Sequence, residues 1–247
     1  YTHFTLDIGS TIDWEKEPVA RLAGVPQVVV AAAQVITDFR QGELFDLEVS
    51  LDESPECISP DAAATRPDEI EWLLSELSRL RVRLAYVAPH LGFHKGGDAA
   101  DGDQQEQLKA LAARLHTIAL DHGSLLSIHS GDYLSRTTRR TLGKACTGKL
   151  LFKVSPSIQD LYVEAVLSDD PNLGVKWKDW TVWYASAQGS AARSADQVFR
   201  KYAFVAFGHG GFEMRKRLYS ASESAVRTFR QSLQRYLEEL SEDLFKK

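Results

Sequence analysis

Titratable side chains follow several short apolar segments of this chain. Asp7 ends the segment YTHFTLD, Asp52 and Glu53 follow FDLEVSL, and His129 ends LLSIH. Imidazole and carboxylate groups bind borderline divalent ions in proteins, and they are also common general acids and bases. These residues therefore predict acid–base catalysis or a metal site, provided that the fold brings them together. The plainer alternatives are a histidine in the apolar core and an aspartate that caps a turn.

Further polar residues occupy comparable positions in the rest of the sequence. His90 ends RLAYVAPH, and the glycine-rich stretches HKGGD and FGHGGF would let the backbone approach a ligand closely. A turn explains each stretch equally well. The remaining candidates at segment ends and in these loops are His90, Lys95, Ser130, Asp132, Lys153 and His209.

Two charged residues lie inside predicted strands. Glu48 lies on the polar side of the alternating segment 44–51, and a carboxylate that points into a protein interior needs a partner. Lys153 lies between Phe152 and Val154, and a buried lysine must be paired or have a lowered pKa. We therefore predict that Lys153 is buried and has a role in the site, with Glu48 as one candidate partner.

The elements that would position these residues alternate along the chain. Strand-like segments occur at 1–8, 44–51, 83–89, 124–130, 149–155 and 202–208, and helical periodicity occurs at 26–41, 66–81, 103–123 and 222–245. This alternation predicts an α/β fold with parallel strands, either a (β/α)8 TIM-type barrel or an open doubly wound sheet. Charged strand ends, and the lack of a phosphate-binding glycine motif after the first strand, favour the barrel. Because six strands are fewer than eight, we expect a barrel that is incomplete at its N-terminus.

The expected domain organisation is one (β/α) barrel domain over residues 1–247. Residues 168–201 contain Trp177, Trp180 and Trp183 and are predicted to form a tryptophan-rich insertion or lid, which begins with a helix. The alternative is that the tryptophans pin this segment to the barrel wall. Residues 222–245 are predicted to form a C-terminal helix.

Composition limits the partners and the location. With 29 basic and 34 acidic residues the net charge is −5, which argues against a nucleic-acid surface. We find no apolar run near the ~18 residues that a membrane span needs, and therefore predict no membrane partner. Two cysteines, far apart in sequence, indicate a reducing cytoplasm rather than a disulfide framework. Assembly into a homo-oligomer is an open alternative.

The order of five motifs resembles the tagaturonate epimerase family of metal-dependent ketouronate epimerases. The motifs are THFTLD, EVSLDES, LAYVAPHLGFHKGGD, LSIHSGD and FKVSPSIQDLYVEAV, and they cover roughly residues 1–165. The chain departs from the family pattern at Asp132, after His-Ser-Gly, and at His90, where the family has an arginine. It is therefore expected to be a divergent or N-terminally shortened member.

The resemblance implies a site built from the candidates above. It implies that Asp52, Glu53 and His129 belong to the metal and catalytic centre, and that Lys95 and Lys153 face the substrate. We predict three groups of residues: catalytic Glu53, Lys153 and Asp7; substrate-binding His90, Lys95, Ser130 and Asp132; and metal-binding Asp52, His129 and His209. The cofactor would be a divalent ion, with Zn, Mn, Ni and Co not distinguished.

The leading functional hypothesis is a metal-dependent epimerase or isomerase that acts on a small-molecule sugar acid, a ketouronate such as tagaturonate or fructuronate. Inversion of a carbon near a carbonyl requires a base, an acid and a means of holding an enediolate. Two alternatives stay open: a metal-assisted hydrolase or aldolase, and a non-catalytic sugar-binding or scaffold barrel.

Overall fold

The computed structural model describes residues 2–55, 57–92, 98–99, 102–129, 131, 134–154, 156–187 and 220–245. The chain divides into two compact units, Tyr1–Lys153 with Asp243–Lys247, and Val154–Glu242. The predicted strand at 202–208 lies outside the described residues.

The first unit contains a five-stranded parallel sheet with the strands in sequence order. Its strands are β1 His3–Asp7, β2 Asp46–Ser50, β3 Tyr86–Ala88, β4 Leu125–Ile128 and β5 Leu150–Phe152. Each lies within a predicted strand segment, so the α/β fold and the parallel sheet are confirmed. Sequential parallel order is what a (β/α) barrel requires, and closure into a barrel stays a prediction.

Helices connect the strands, as parallel pairing demands. The first unit contains α1 Pro18–Arg21, α2 Val25–Phe39, α3 Pro60–Ala63, α4 Pro67–Arg79, α5 Gly102–Asp121 and α6 Arg136–Ala145. Helix α4 begins at Pro67, where a missing N–H costs nothing, and buries Ile70, Leu73, Leu74 and Leu77 on one face. The helical periodicity predicted for residues 66–81 is therefore confirmed.

The sheet has one apolar face and one polar face. Side chains alternate along each strand, and the strand register sets Thr5 beside Glu48 and Glu48 beside Tyr86. We call the face that carries these side chains the polar face. The opposite face contributes buried apolar side chains to the core, namely Leu47, Val49, Val87, Leu126 and Ile128.

The second unit is helical over its described residues. It contains α7 Pro156–Asp169, α8 Pro171–Ala187 and most of α9 Glu223–Leu244, around a core that includes Leu173 and Trp177. Trp180 stacks on Tyr184 at 4.8 Å between ring centroids, whereas the Trp183 side chain is 62% exposed. The first part of the predicted insertion is therefore a packed helix, as the sequence indicates, and residues 188–201 lie outside the described residues. The single-domain assignment stays a prediction.

One apolar stretch contradicts the prediction that no segment is long enough to span a membrane. Pro18–Phe39 spans 22 residues and contains an 18-residue window with a mean hydropathy of 1.6, which is enough to cross a membrane by length and composition alone. The prediction that no such stretch exists was therefore wrong. The fold interrupts this stretch with a turn between α1 and α2, and the Arg21 guanidinium before that turn forms a buried ion pair with Glu69.

Candidate active site

A carboxylate–imidazole–carboxylate network lies at the carboxyl ends of β2 and β4. His129 Nε2 is 2.8 Å from Glu48 Oε1, and His129 Nδ1 is 3.0 Å from Asp52 Oδ1. The His129 side chain is only 7% exposed, and that of Glu48 is 1% exposed. His129 therefore bridges two carboxylates near the carboxyl ends of the strands, and it is not packed among aliphatic side chains.

Strand geometry explains why these residues meet. Glu48, Ser50 and Asp52 are two residues apart, so alternation directs their side chains toward the same side. The Ser50 hydroxyl donates to Asp52 Oδ1 and lies 3.4 Å from His129 Nδ1. Because of this alternation in LEVSLD, two carboxylates and one hydroxyl lie close to the His129 imidazole.

The two carboxylates control the protonation state of His129. Burial alone would lower the pKa of the imidazole, but the hydrogen bonds to Asp52 and Glu48 outweigh it and raise the pKa to about 9, against the opposing charge of Lys153. Burial also opposes ionisation of Glu48, yet hydrogen bonds from His129, Ser127 and Thr5 together bring the net pKa of Glu48 below the ordinary value. At neutral pH the ring is therefore an imidazolium between anionic partners.

Glu48 is only partly satisfied by its neighbours. Its Oε1 accepts from the Thr5 hydroxyl at 3.0 Å as well as from His129. Neither its buried Oε2 nor the buried hydroxyl of Ser127 makes a hydrogen bond of ordinary geometry within the described structure, although the Ser127 hydroxyl lies close enough to help lower the pKa of Glu48. His3 Nε2 lies 3.8 Å from Oε2. A buried acceptor without a hydrogen-bond donor is costly in a fold and is typical of functional sites.

A second pair of carboxylates lines an open cavity beside this network. Asp7 and Glu53 contribute to a depression of about 430 Å³, together with Gly9, Ser10, Ser54 and Pro55. Asp7 pairs in register with Ser50, and Glu53 follows Asp52, so the cavity adjoins the His129 network. The structure thus brings together two of the predicted catalytic residues.

The close approach of these segments depends on Gly9. A Cβ atom at this position would lie 2.8 Å from Glu53 Cβ and 2.9 Å from Glu53 O. The Gly9 N–H also donates to Asp7 Oδ1 at 3.0 Å. Asp7 therefore does cap a turn, as the alternative interpretation holds, while it also lines the cavity.

His90 follows β3 and is buried. Its backbone N–H donates to the Thr65 hydroxyl at 2.8 Å, and its Nδ1 accepts from the Gly92 N–H at 3.1 Å. Because Nδ1 is an acceptor, a neutral His90 carries its proton on Nε2. Its role in substrate binding stays a prediction.

Lys153 corrects one sequence prediction. Its side chain is exposed, and Glu48 Oε1 accepts hydrogen bonds from His129 and Thr5 rather than from the ammonium group. The interpretation of Lys153 as a buried partner of Glu48 was therefore wrong. The physical reason is that β5 is short and ends at Phe152, so that Lys153 already lies beyond the strand.

Four of the predicted site residues lie outside the described residues: Lys95, Ser130, Asp132 and His209. The predicted site, conversely, omitted Glu48, Thr5 and Ser50 from its members. Their signal was present in the sequence, because Glu48 is a carboxylate on the polar side of an alternating strand. The sequence could not show that a histidine two strands away would be its partner.

The predicted metal site stays a prediction, because His209, one of its three ligands, lies outside the described residues. Asp52 and Glu48 engage opposite ring nitrogens of His129, so the three groups do not converge on one point. Among the described residues no group of three His, Cys, Asp or Glu side chains is arranged to hold an ion. The donor types suit a divalent ion, but their present geometry serves hydrogen bonding.

Comparisons with known proteins identify structural neighbours of this fold. The glycerol-complexed crystal structure of fructuronate-tagaturonate epimerase UxaE from Cohnella laeviribosi aligns with a TM-score of 0.60 at 17% identity, covering 98% of this chain and 61% of that chain. Its native crystal structure aligns with a TM-score of 0.59 at 18% identity, covering 99% and 61%. No protein-family profile and no curated protein sequence matches the chain significantly. The chain therefore shares the α/β fold of this epimerase over about 61% of the length of that enzyme.

Proposed function

We propose that this chain carries the active site of an epimerase or isomerase that acts on a sugar acid, a ketouronate such as tagaturonate or fructuronate. The observation that carries the proposal is the pair of carboxylates, Asp7 and Glu53, in one cavity beside the buried His129 network. The shared fold with a fructuronate-tagaturonate epimerase supports it, as does the motif order of the sequence.

The cavity suits a small polar substrate. Its volume of about 430 Å³ lies at the lower end of the range for small-molecule sites, ~300–1,000 Å³. The hydroxyls of Ser10 and Ser54 are available to hydroxyl groups of a sugar. The exposed ammonium of Lys153, whose charge acts on His129, would bind the substrate carboxylate.

Glu53 is the proposed base of the reaction. It lines the cavity and is half-buried, so it can exchange a proton with a bound substrate. If the inverted carbon is next to the carbonyl, Glu53 removes the C–H proton, Asp7 delivers a proton to the other face of the enediolate, and both carboxyl groups then exchange protons with water. If that carbon is one position further, Glu53 removes the hydroxyl proton, the C–C bond breaks, and it re-forms after the aldehyde has rotated.

The charged network has a positioning role in this proposal. Glu48 and Asp52 hold the His129 imidazolium in one orientation next to the cavity, where its positive charge favours an anionic intermediate. The divalent ion, the cytoplasmic location and the lack of nucleic-acid or membrane partners stay predictions. No step above uses an ion, and elemental analysis of the purified protein tests for one.

The experiment is turnover of fructuronate and tagaturonate, followed by ¹H NMR in D₂O with and without added Zn²⁺, Mn²⁺, Ni²⁺ or Co²⁺. We expect interconversion by the wild-type chain, a loss of ~100-fold or more in Glu53→Gln, and no loss in the control Glu76→Gln, whose half-buried side chain pairs with Arg79 on α4. Deuterium incorporation at the inverted carbon would indicate proton abstraction, and its absence would indicate C–C cleavage. Lack of turnover under every metal condition would refute the proposal.

A non-catalytic sugar-acid-binding protein is the second candidate. The observation in its favour is that both ring nitrogens of His129 are engaged by the protein's own carboxylates. It predicts binding of ketouronates by calorimetry without turnover, and Lys153→Ala would weaken that binding whereas Glu53→Gln would not.

A further inference from the structure

The exposed side of α2 is apolar. Val28, Val35 and Phe39 are 43%, 68% and 73% exposed, and Leu44 beyond the helix is 93% exposed. Residues 25–37 contain no charged side chain. Helix faces that meet solvent ordinarily carry charged and polar residues, and a contiguous apolar patch usually marks an interaction surface.

Helical geometry arranges these residues as a continuous stripe. With 3.6 residues per turn, Val28, Ala31, Val35 and Phe39 fall within about 80° of one another around the helix axis. The stripe lies next to the face that buries Val29 and the neighbouring apolar residues of α2. A second helix could therefore pack beside α2 and extend its apolar contacts.

The fold argues against a lipid bilayer as the occupant. A span over Pro18–Phe39 would have to straighten the turn between α1 and α2. It would also have to withdraw Arg21 from a bidentate pair with Glu69, with N–O distances of 2.6 and 2.8 Å. Separating a buried ion pair is strongly unfavourable. A protein surface requires neither change.

We propose that the stripe is the interface of a homodimer in which two copies of α2 pack antiparallel about a two-fold axis. Antiparallel pairing sets Phe39 of one copy opposite Val28 of the other, and Val35 opposite Ala32. Large side chains thus face smaller ones, and a two-fold axis makes the match reciprocal. The half-buried Ala32 and the exposed Ala31 lie near the crossing point, where small side chains let two helices approach closely.

The surroundings of the stripe fit such an interface. Gln27 and Gln34 are exposed along one side of it and would form a polar rim around the apolar centre. A stable interface buries ~800 Å² on each partner, and the four exposed apolar side chains account for roughly half of that area. This proposal is independent of the proposed enzymatic function.

The test is sedimentation equilibrium of the wild-type chain from about 1 to about 100 μM, a range that covers typical weak and strong dimers. We expect a dimer whose dissociation constant rises by ~30-fold or more in Val35→Glu and in Phe39→Glu, as expected for the loss of a central interface side chain. Thr37→Glu adds the same charge to the opposite side of α2 and should leave the dimer intact. Circular dichroism checks that each variant is folded.

Three outcomes would overturn the proposal. The first is a wild-type chain that is monomeric over the whole range. The second is a dimer that persists in both Val35→Glu and Phe39→Glu. The third is flotation of the wild-type chain with phosphatidylcholine–phosphatidylserine vesicles that is lost in Val35→Glu, which would assign the stripe to a membrane surface.

Discussion

Two buried glutamates in the first unit show how a structural ion pair differs from a candidate site. Glu69 receives three hydrogen bonds, two from the Arg21 guanidinium and one from the Arg66 N–H, so that both of its oxygens are satisfied. Glu48 receives two hydrogen bonds on one oxygen, whereas its other oxygen makes no hydrogen bond of ordinary geometry within the described structure. Both side chains are almost fully inaccessible to solvent.

The difference separates stability from function. Glu69 joins α1 to the start of α4, and its charge is fully neutralised by a single cation. Glu48 instead belongs to a group of two carboxylates and one imidazole. In this group one imidazolium faces two carboxylates, so the group has a net negative charge. A fold optimised only for stability would not leave such a group partly unsatisfied.

The largest expected effect is on the structural pair. Glu69→Gln leaves the buried Arg21 guanidinium without a counter-charge, and we expect the free energy of unfolding to fall by ~3–5 kcal/mol. Chemical denaturation measures this. Glu76→Gln is the matched control on the same helix, because Glu76 forms a partly exposed pair with Arg79, and it should change stability by less than ~1 kcal/mol. Equal effects of the two substitutions would contradict this interpretation.

A substitution at Gly9 tests whether the position of Glu53 in the cavity matters for catalysis. In Gly9→Ala the new methyl group would collide with the backbone and Cβ of Glu53, and we expect kcat for ketouronate epimerisation to fall by ~10- to 100-fold because the base is displaced. Gly102→Ala is the control, since a Cβ there meets no neighbouring atom within 4 Å. An unchanged kcat in Gly9→Ala would contradict the role of Glu53 as the base.

Glu48→Gln tests the other half of the comparison. The amide oxygen can still accept from Thr5 and His129, so we expect the free energy of unfolding to change by less than ~1 kcal/mol. Because the charge that orients His129 is lost, kcat should fall by about tenfold, equivalent to ~1.4 kcal/mol in the barrier. If Glu48→Gln destabilised the fold as much as Glu69→Gln does, Glu48 would be a structural residue.

The smallest expected effect concerns acid stability at the end of α9. Burial raises the pKa of Asp243, but hydrogen bonds from Arg139, Arg136 and Arg140 outweigh it and bring the pKa below its ordinary value of 3.8. A lowered carboxyl pKa stabilises the fold above pH 3.8, and this stabilisation is lost as the pH falls through the folded-state pKa. We expect Asp243→Asn to remove this acid-dependent component in melts between about pH 5 and pH 2. A wild-type pH profile that persists in Asp243→Asn would refute it.

The sequence predicted the sheet and the long helices well because their signals are local. Periodic apolar residues define α4 and α5, and β2 shows strict alternation from Phe45 to Leu51. It missed α6, whose sequence RTTRRTLGKA has few apolar residues. That helix is anchored instead by the Ser135 cap and by ion pairs from its arginines to Asp243, more than 100 positions away. Contacts at such separation leave no periodic pattern.

The proximity of several candidate residues was predictable from the sequence, but their hydrogen-bond partners were less so. The rule that polar residues gather at the carboxyl ends of parallel strands correctly grouped Asp52 with His129 and Asp7 with Glu53. It did not reveal that Glu48 would bind His129 rather than Lys153, because pairing across strands depends on register and on where β5 ends. Sequence alternation shows which side chains share a face of the sheet, whereas only the fold shows which residue each of them binds.

The most direct test of the account is a crystal structure of the wild-type chain with bound fructuronate. The account predicts the sugar acid in the cavity between Asp7 and Glu53, with its carboxylate near Lys153 and the inverted carbon or its hydroxyl within hydrogen-bonding reach of a Glu53 oxygen. Fructuronate bound at another place in the protein, with the Asp7–Glu53 cavity filled only by water, would contradict it.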